Sequence, residues 1–240
     1  MTAQGGQESL PLQVLESGRL EPKVRWLLCR GTPDLEKEEF LLPQELQDGR
    51  RYRHAGRYRQ WLLGRAAAKW LLLEQAGLNW SSENARRFYL LRHPEGWPQV
   101  FYAGGKELAL PLTISHSADY VLCALGEKGT GALGADLEVI EKRSEALIED
   151  FFTEREKVLL QAVSSTERDR AVNAVWCLKE AFLKAEKSGL RRRATDVEVL
   201  SLGNLTEDGW HQATVGFSTA WRGFWRTSEN GRLILSICTQ

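Results

Sequence analysis

Two helical regions, each set among short apolar runs with the character of strands, constrain the fold of this 240-residue chain most strongly. The first region spans about 43–75, and the second comprises 146–163 and 166–187. The glycine-rich segment 126–134 lies between them and predicts a turn or linker near the midpoint of the fold. Long helices mixed with short strands predict an α+β class with largely antiparallel strands. The strand-like runs are 24–29, 88–91, 99–102, 111–115, 120–125, 134–140, 197–202, 213–217 and 232–238.

The order of these elements divides the chain into three predicted parts. Residues 1–20 are polar and show little periodicity, so we expect a loose N-terminal tail. Residues 21–128 form a predicted N-terminal half, and residues 129–240 form a C-terminal half with a similar order of elements. Gly189 is expected to end the last long helix.

The charges of the chain balance, with 32 Lys and Arg against 32 Asp and Glu. This balance argues against a protein built mainly to bind nucleic acid or an anionic membrane. The first residues lack the pattern of a signal peptide, and no apolar run is long enough to span a membrane, so we expect a cytoplasmic protein. The four cysteines are widely spaced and form no C-x-x-C pair, which argues against a structural zinc site.

Two carboxylates, Asp136 and Glu138, are two residues apart in a predicted strand. Residues at this spacing point to the same face of a strand. Paired carboxylates on one face suit a hard cation such as Mg²⁺. The alternative interpretation is a solvated strand edge.

Glu180 and Lys184 are four residues apart in a predicted helix. Projection at about 100° per residue places them nearly opposite Leu178 and Phe182, with Trp176 at their flank. Such a pair is also an ordinary surface stabiliser of a helix. The spacing alone does not decide between the two interpretations.

His116 ends a predicted strand in the tripeptide Ser115-His116-Ser117. A histidine beside small hydroxyl residues can bind phosphate or act as a base, or it can be a hydrogen-bonded structural residue. The basic run 50–60 interleaves arginines with tyrosines. It can grip phosphates through arginine, contact RNA, or form a solvated helix face.

Taken together, these motifs resemble those of the Sfp-type 4'-phosphopantetheinyl transferases. The family signature joins a Gly-x-Asp-x-Glu segment, here GADLE at 134–138, to Trp-x-x-Lys-Glu-Ala-x-x-Lys, here WCLKEAFLK at 176–184. ISHS at 114–117 and FFTEREK at 151–157 are similar to further family elements, and 41–65 is similar to the basic helix of the N-terminal half. The resemblance covers about 24–238.

The resemblance implies a pseudo-twofold fold of two similar halves with coenzyme A (CoA) in the cleft between them. It also implies Mg²⁺-dependent transfer of the 4'-phosphopantetheine group of CoA to a serine of an apo acyl or peptidyl carrier protein. The by-product is adenosine 3',5'-bisphosphate. Carriers of fatty-acid, polyketide and non-ribosomal peptide synthesis are all compatible, and a monomer that binds neither nucleic acid nor membranes is expected.

The resemblance also assigns roles to individual side chains. Glu180 is expected to take the proton of the carrier serine, and Lys184 to stabilise or protonate the leaving group. The expected Mg²⁺ ligands are Asp136, Glu138 and Glu180. The residues expected to contact CoA are Arg59, Arg65, Ser115, His116, Lys179 and Lys184.

Two features differ from the family pattern. Some members have Gly-Lys-Pro near the nucleotide base, whereas this chain has Gly96-Trp97-Pro98, whose Trp97 ring can stack on adenine. Some relatives also have lysines where this chain has Glu45 and Asp48. Rival functions are a non-catalytic module that binds CoA or a carrier protein, and an RNA-binding module built on 50–60. The set of three acids and a lysine favours the enzyme.

Overall fold

The computed structural model describes residues 9–21, 23–188, 191–216 and 221–240. The helices are α1 (Pro43–Gly49), α2 (Ala55–Gln75), α3 (Ser82–Ala85), α4 (Glu145–Phe151), α5 (Glu154–Gln161) and α6 (Arg168–Ala185). The strands are β1 (Leu12–Leu20), β2 (Val24–Gly31), β3 (Phe88–Arg92), β4 (Pro98–Tyr102), β5 (Glu107–Leu108), β6 (Leu112–Ser117), β7 (Tyr120–Gly126), β8 (Leu133–Val139), β9 (Val199–Leu205), β10 (His211–Val215), β11 (Arg222–Ser228) and β12 (Leu233–Thr239). Within the described ranges, no helix has both the length and the apolar character needed to cross a bilayer.

Two antiparallel sheets pack against each other, and each is covered on its outer side by one long helix. The N-terminal sheet has the strand order β1-β2-β7-β6 and packs on α2, and the C-terminal sheet has the order β8-β12-β11-β10-β9 and packs on α6. Apolar side chains of β2, β7, β8, β11 and β12 form a third core between the sheets. The antiparallel α+β class predicted from the sequence is confirmed, and each half repeats a plan of one sheet and one long helix.

Two predicted helices are broken in the structure. The predicted helix 43–75 consists of α1 and α2, and the predicted helix 146–163 consists of α4 and α5. Phe152 has extended backbone angles, and Thr153 then starts α5 through reciprocal hydrogen bonds with Glu156. This Thr-x-x-Glu capping box explains the break, because it satisfies amide groups at a new helix start.

The N-terminal segment differs from the predicted loose tail. β1 pairs with β2 along its whole length, and Leu12 and Leu20 are buried. The prediction of a loose tail is therefore wrong for residues 12–20, while residues 1–8 lie outside the described ranges. Gly189 also lies outside them, and α6 ends at Ala185.

Both halves contain a fully buried Lys–Glu pair built in the same way. Lys69 on α2 pairs with Glu45, and Lys179 on α6 pairs with Glu156, each at 2.6 Å between Nζ and Oε2. Each glutamate is the third residue of a short helix, where it also accepts the amide of the capping residue. Each also accepts a strand amide, that of Leu90 or Val199. The two halves are thus alike in internal chemistry as well as in topology.

Gly134 allows α6 to lie directly on β8. A Cβ atom at this position would overlap the carbonyl oxygen of Ala181 and the backbone of Ala185. We expect Gly134→Ala to lower the free energy of unfolding by about 2–3 kcal/mol, because α6 would have to move away from the sheet. Denaturant unfolding measures this change. Gly104→Ala is the matched control, since a Cβ there meets open space, and equal midpoints for both variants would contradict the expectation.

Candidate active site

The alternation of β8 places three functional positions on one face of the C-terminal sheet. Gly134, Asp136 and Glu138 face α6, whereas Ala135 and Leu137 enter the core between the sheets. Since α6 approaches β8 closely at Gly134, polar side chains of α6 lie beside the two carboxylates: Lys184 contacts Asp136, and Trp176 contacts Glu138. The sequence prediction that both carboxylates share one face is confirmed by this arrangement.

A hydrogen-bonded network joins the two halves of the chain. Lys184 Nζ of α6 donates to Asp136 Oδ1 at 2.5 Å and to Ser115 Oγ at 2.9 Å. Ser115, on β6 of the N-terminal sheet, donates to the same Asp136 oxygen at 2.7 Å. Thr113 holds β6 next to β8, because its hydroxyl accepts the amide of Ala135 at 3.0 Å. Burial opposes the charged form of Lys184, but the Asp136 carboxylate outweighs it and raises the pKa of the lysine.

Glu138 is held by two side chains of the C-terminal half. Arg143 Nη2 donates to one carboxylate oxygen at 2.8 Å, and Trp176 Nε1 donates to the other at 3.1 Å. Burial and the nearby Asp136 charge raise the pKa of Glu138, and Arg143 offsets part of that rise. Sequence reasoning missed Arg143, because a basic residue in the loop after a strand carries no local signal of such a contact.

Glu180 is the carboxylate of the cluster that makes no hydrogen bond to another described residue. Burial raises its pKa, and the neighbouring Asp136 charge raises it further. Asp136 Oδ2 is likewise buried without a partner. The cluster therefore combines concentrated negative charge with acceptor atoms that lack a donor.

The carboxylates suit a Mg²⁺ ion that is bound together with substrate phosphates, but they do not form a metal cage of protein side chains alone. Among the described residues, no group of three acidic, histidine or cysteine side chains is arranged as a metal cage. Mg²⁺ bound with substrate phosphates commonly uses only one or two carboxylates and completes its shell with water. The free oxygen of Asp136 and the unpartnered Glu180 fit that mode, whereas both oxygens of Glu138 are already engaged.

His116 stands between the cluster and a cavity in the N-terminal half. Its side chain is exposed, and its pKa is lowered by partial burial and by the nearby Lys184 and Arg57 charges. The cavity has a volume of about 190 Å³. It is lined by Tyr52, Arg57, Gln60, Trp61, Gly64, Arg65, Arg92, Gly96, Pro98, Ile114 and His116.

Two donors in this cavity are buried without a partner. Arg65 is 6% exposed, and neither its Nε nor Nε1 of Trp61 makes a hydrogen bond. Burial lowers the pKa of Arg65 to about 10. Arg65 also pairs with Asp48 through Nη2 at 3.3 Å, so its Nε and the Trp61 Nε1 are the donors left without acceptors. Buried donors of this kind, one of them on a cation, favour an anionic ligand. Arg57, from the basic run 50–60, and Arg92, which sequence reasoning missed, add positive charge to the same cavity.

The remaining predicted contact residues differ in their surroundings. Arg59 pairs with Glu36 at 2.7 Å and lines an open groove on the other side of His116. Lys179 is fully buried against Glu156. The predicted phosphate contact of Lys179 is therefore wrong, because its ammonium points into the C-terminal core rather than into the cleft.

Residues 132–238 match the model of the 4'-phosphopantetheinyl transferase superfamily. The chain is 34% identical over 88 residues to the 4'-phosphopantetheinyl transferase HetI of Nostoc sp., a match that covers 36% of each chain. It is 27% identical over 174 residues to slr0495 of Synechocystis sp., whose name gives the same activity provisionally, covering 71% of this chain and 66% of the relative. It is 31% identical over 77 residues to the 4'-phosphopantetheinyl transferase gsp of Aneurinibacillus migulanus, covering 32% and 31%. The matches thus span from about a third to two thirds of the relatives' lengths.

Two solved structures also match part of the chain. The holo-[acyl-carrier-protein] synthase of Thermotoga maritima is 23% identical, with a TM-score of 0.36 over 45% of this chain and 62% of that one. The corresponding synthase of Bacillus anthracis, in complex with CoA (3',5'-ADP), is 20% identical, with a TM-score of 0.35 over 45% of this chain and 94% of that one.

Proposed function

Because this chain belongs to the 4'-phosphopantetheinyl transferase superfamily through its C-terminal half, we propose that it transfers the 4'-phosphopantetheine group of CoA to a serine of an apo acyl or peptidyl carrier protein. The network of Lys184, Asp136 and Ser115 beside the free Glu180 carries the proposal. It brings an acid cluster, a cation and a hydroxyl from both halves into one cleft. We expect the same division of the chain, with 21–128 and 129–240 forming the two sides of that cleft.

The proposed reaction is an in-line displacement at phosphorus. The serine hydroxyl oxygen of the carrier forms a new bond to the phosphorus that bears pantetheine, while the bond from that phosphorus to the bridging oxygen breaks. Glu180, whose carboxylate makes no hydrogen bond to another described residue, takes the serine proton as the general base. Lys184 neutralises the charge that develops on the leaving adenosine 3',5'-bisphosphate.

We propose that Asp136, through Oδ2, and Glu180 are the residues that would hold Mg²⁺ bound together with CoA. When bound, the ion supplies Lewis-acid stabilisation of the phosphate charge. Glu138, fixed by Arg143 and Trp176, adds negative charge beside it. Asp136 also keeps Lys184 protonated and aimed at the cleft.

The cavity in the N-terminal half is proposed to hold the 3'-phosphate of CoA. Its unpartnered donors on Arg65 and Trp61 need an acceptor, and Arg57 and Arg92 supply further charge. His116 lines this cavity, and its neighbour Ser115 bonds to Lys184, which supports a CoA contact of His116 near both groups. A phosphomonoester there would leave the diphosphate on the side of Lys184.

The proposed function is tested by mass spectrometry of carrier proteins. Apo carriers of the fatty-acid, polyketide and non-ribosomal peptide types are incubated with the chain, CoA and Mg²⁺. We expect at least one carrier to gain the mass of one phosphopantetheine group, and chelation of the metal to prevent the gain. CoA binding without a mass gain on any carrier, while a control transferase modifies them, would instead identify a non-catalytic binding module.

A further inference from the structure

The turn His93–Trp97, which joins β3 to β4, is closed by two backbone hydrogen bonds and carries a stacked pair of aromatic rings. The His93 amide donates to the Trp97 carbonyl at 2.8 Å, and the Gly96 amide donates back to the His93 carbonyl at 2.8 Å. The His93 and Trp97 rings are stacked with centroids 3.8 Å apart and planes 10° apart. One face of Trp97 is therefore covered by a residue of its own turn.

This turn contacts the C-terminal end of α6 across the cleft. Lys187 Nζ lies 4.8 Å from the centroid of the Trp97 ring, within cation–π range. Glu95 Oε1 lies 3.2 Å from Arg191 Nη1, and Arg191 Nη2 donates to the Lys187 carbonyl at 2.7 Å. Two charged side chains that follow α6 thus engage two side chains of the turn.

Lys187 adopts a backbone conformation that favours glycine. Its φ angle is 56°, and it ends α6 with its amide on the Lys184 carbonyl, while the Ser188 amide reaches the Leu183 carbonyl. Glycine is the usual residue at this position of such a helix end, because it has no Cβ to strain. Lys187 therefore carries backbone strain that a glycine at this position would not have.

The turn and the helix end belong to the two parts of the proposed CoA site. The cavity in the N-terminal half that is proposed to hold the 3'-phosphate is called the anion cavity. Gly96 lines it, together with Arg92 and Pro98, which flank the turn. Lys184, which bonds to Asp136 and Ser115, is three residues before Lys187 on α6. We propose that Trp97 and Lys187 form a clasp that fixes the anion cavity relative to Lys184 and so tightens the binding of CoA; this inference rests on the proposed function. Both are positioning residues that act through the geometry of the cleft.

Lys187→Gly removes the side chain that contacts Trp97 but keeps the backbone conformation that ends α6. Glycine keeps the left-handed conformation without strain, so the unfolding midpoint should stay equal or rise. The clasp predicts a five- to tenfold higher Kd for CoA by calorimetry, about the factor expected for a cation–π contact. It also predicts a similar rise in KM for CoA with kcat within about twofold. An unchanged Kd for Lys187→Gly would overturn the clasp.

Trp97 variants distinguish the clasp from a simple loss of charge. Trp97→Ala keeps the lysine charge and should weaken CoA binding about as much as Lys187→Gly, Trp97→Phe should retain most affinity, and the double variant should not be additive. Normal affinity of Trp97→Ala would overturn the clasp.

Asn230→Gly is the matched control. Asn230 also has a positive φ angle, and it lies in the turn between β11 and β12. If the unaltered chain neither binds CoA nor modifies any carrier, the proposed function fails and the clasp with it, whereas normal CoA binding by Lys187→Gly overturns the clasp alone.

Discussion

Asp136→Asn is expected to lower kcat/KM for carrier modification by about a thousandfold or more. The substitution keeps the size of the side chain but removes its negative charge. That charge pairs with Lys184 at 2.5 Å and is the reason why the pKa of this lysine is raised. It also replaces one carboxylate oxygen by an amide nitrogen, which cannot bind a metal. Loss of a single charge-stabilising group in an active site typically costs about 10²–10³ in rate, and Asp136 serves two such groups.

The folded state should survive this substitution. Lys184 is one-third exposed, so it can be hydrated when its partner is neutral, and the change relieves repulsion among three neighbouring acids. Initial rates come from the mass-shift assay, and thermal unfolding monitors the fold. Asp208→Asn, in the exposed turn between β9 and β10, is the matched control. A rate above one-tenth of the unaltered chain would contradict the proposed role of Asp136.

Lys179→Met is expected to lower the free energy of unfolding by about 3–5 kcal/mol, because it leaves Glu156 charged and unpaired in the C-terminal core. Lys69→Met should have a similar effect in the N-terminal half, since its pair with Glu45 is equally buried. Denaturant unfolding at neutral pH measures both changes. A phosphate-binding lysine would behave differently, with a raised KM for CoA and an unchanged unfolding midpoint.

A second substitution at Glu156 tests the cause of the destabilisation. Glu156→Gln removes the buried charge and keeps one acceptor oxygen, so it can accept only one of the amides of Thr153 and Val199. Combined with Lys179→Met, it should recover part of the lost stability, because no unpaired charge stays buried. Lys157→Met is the surface control, because its partners Glu149 and Glu154 are exposed and their ion pairs are screened by solvent. Equal losses for Lys157→Met and Lys179→Met would contradict the explanation.

The sequence predicted those parts of the site that depend on local periodicity. The spacing of Asp136 and Glu138 fixes their common face in any strand, and the spacing of Glu180 and Lys184 fixes their common side of any helix. The resemblance to 4'-phosphopantetheinyl transferases that rested on these motifs agrees with the match of residues 132–238 to the model of that superfamily. The metal, base and CoA roles of these residues stay predictions.

Contacts between distant segments could not be predicted in the same way. Lys179 occupies a motif position that suits a cleft, yet its burial depends on Glu156, 23 residues earlier on another helix. The only local signal was the Thr-x-x-Glu pattern at 153–156, which also marks the break between α4 and α5. Arg92 and Arg143 reach the site only through tertiary packing, so no spacing in the sequence indicates them, whereas Arg57 belongs to the basic run 50–60.

The bond of Ser115 to Asp136 and Lys184 makes the proposed activity depend on the docking of the two sheets. Each half also has its own core, between its sheet and its long helix. The contacts that hold them together include the edge-to-face pair of Trp26 and Trp210, with centroids 5.3 Å apart in the core between the sheets. Heating that loosens this inner layer would move Ser115 away from Asp136 and Lys184 and so lower the proposed activity.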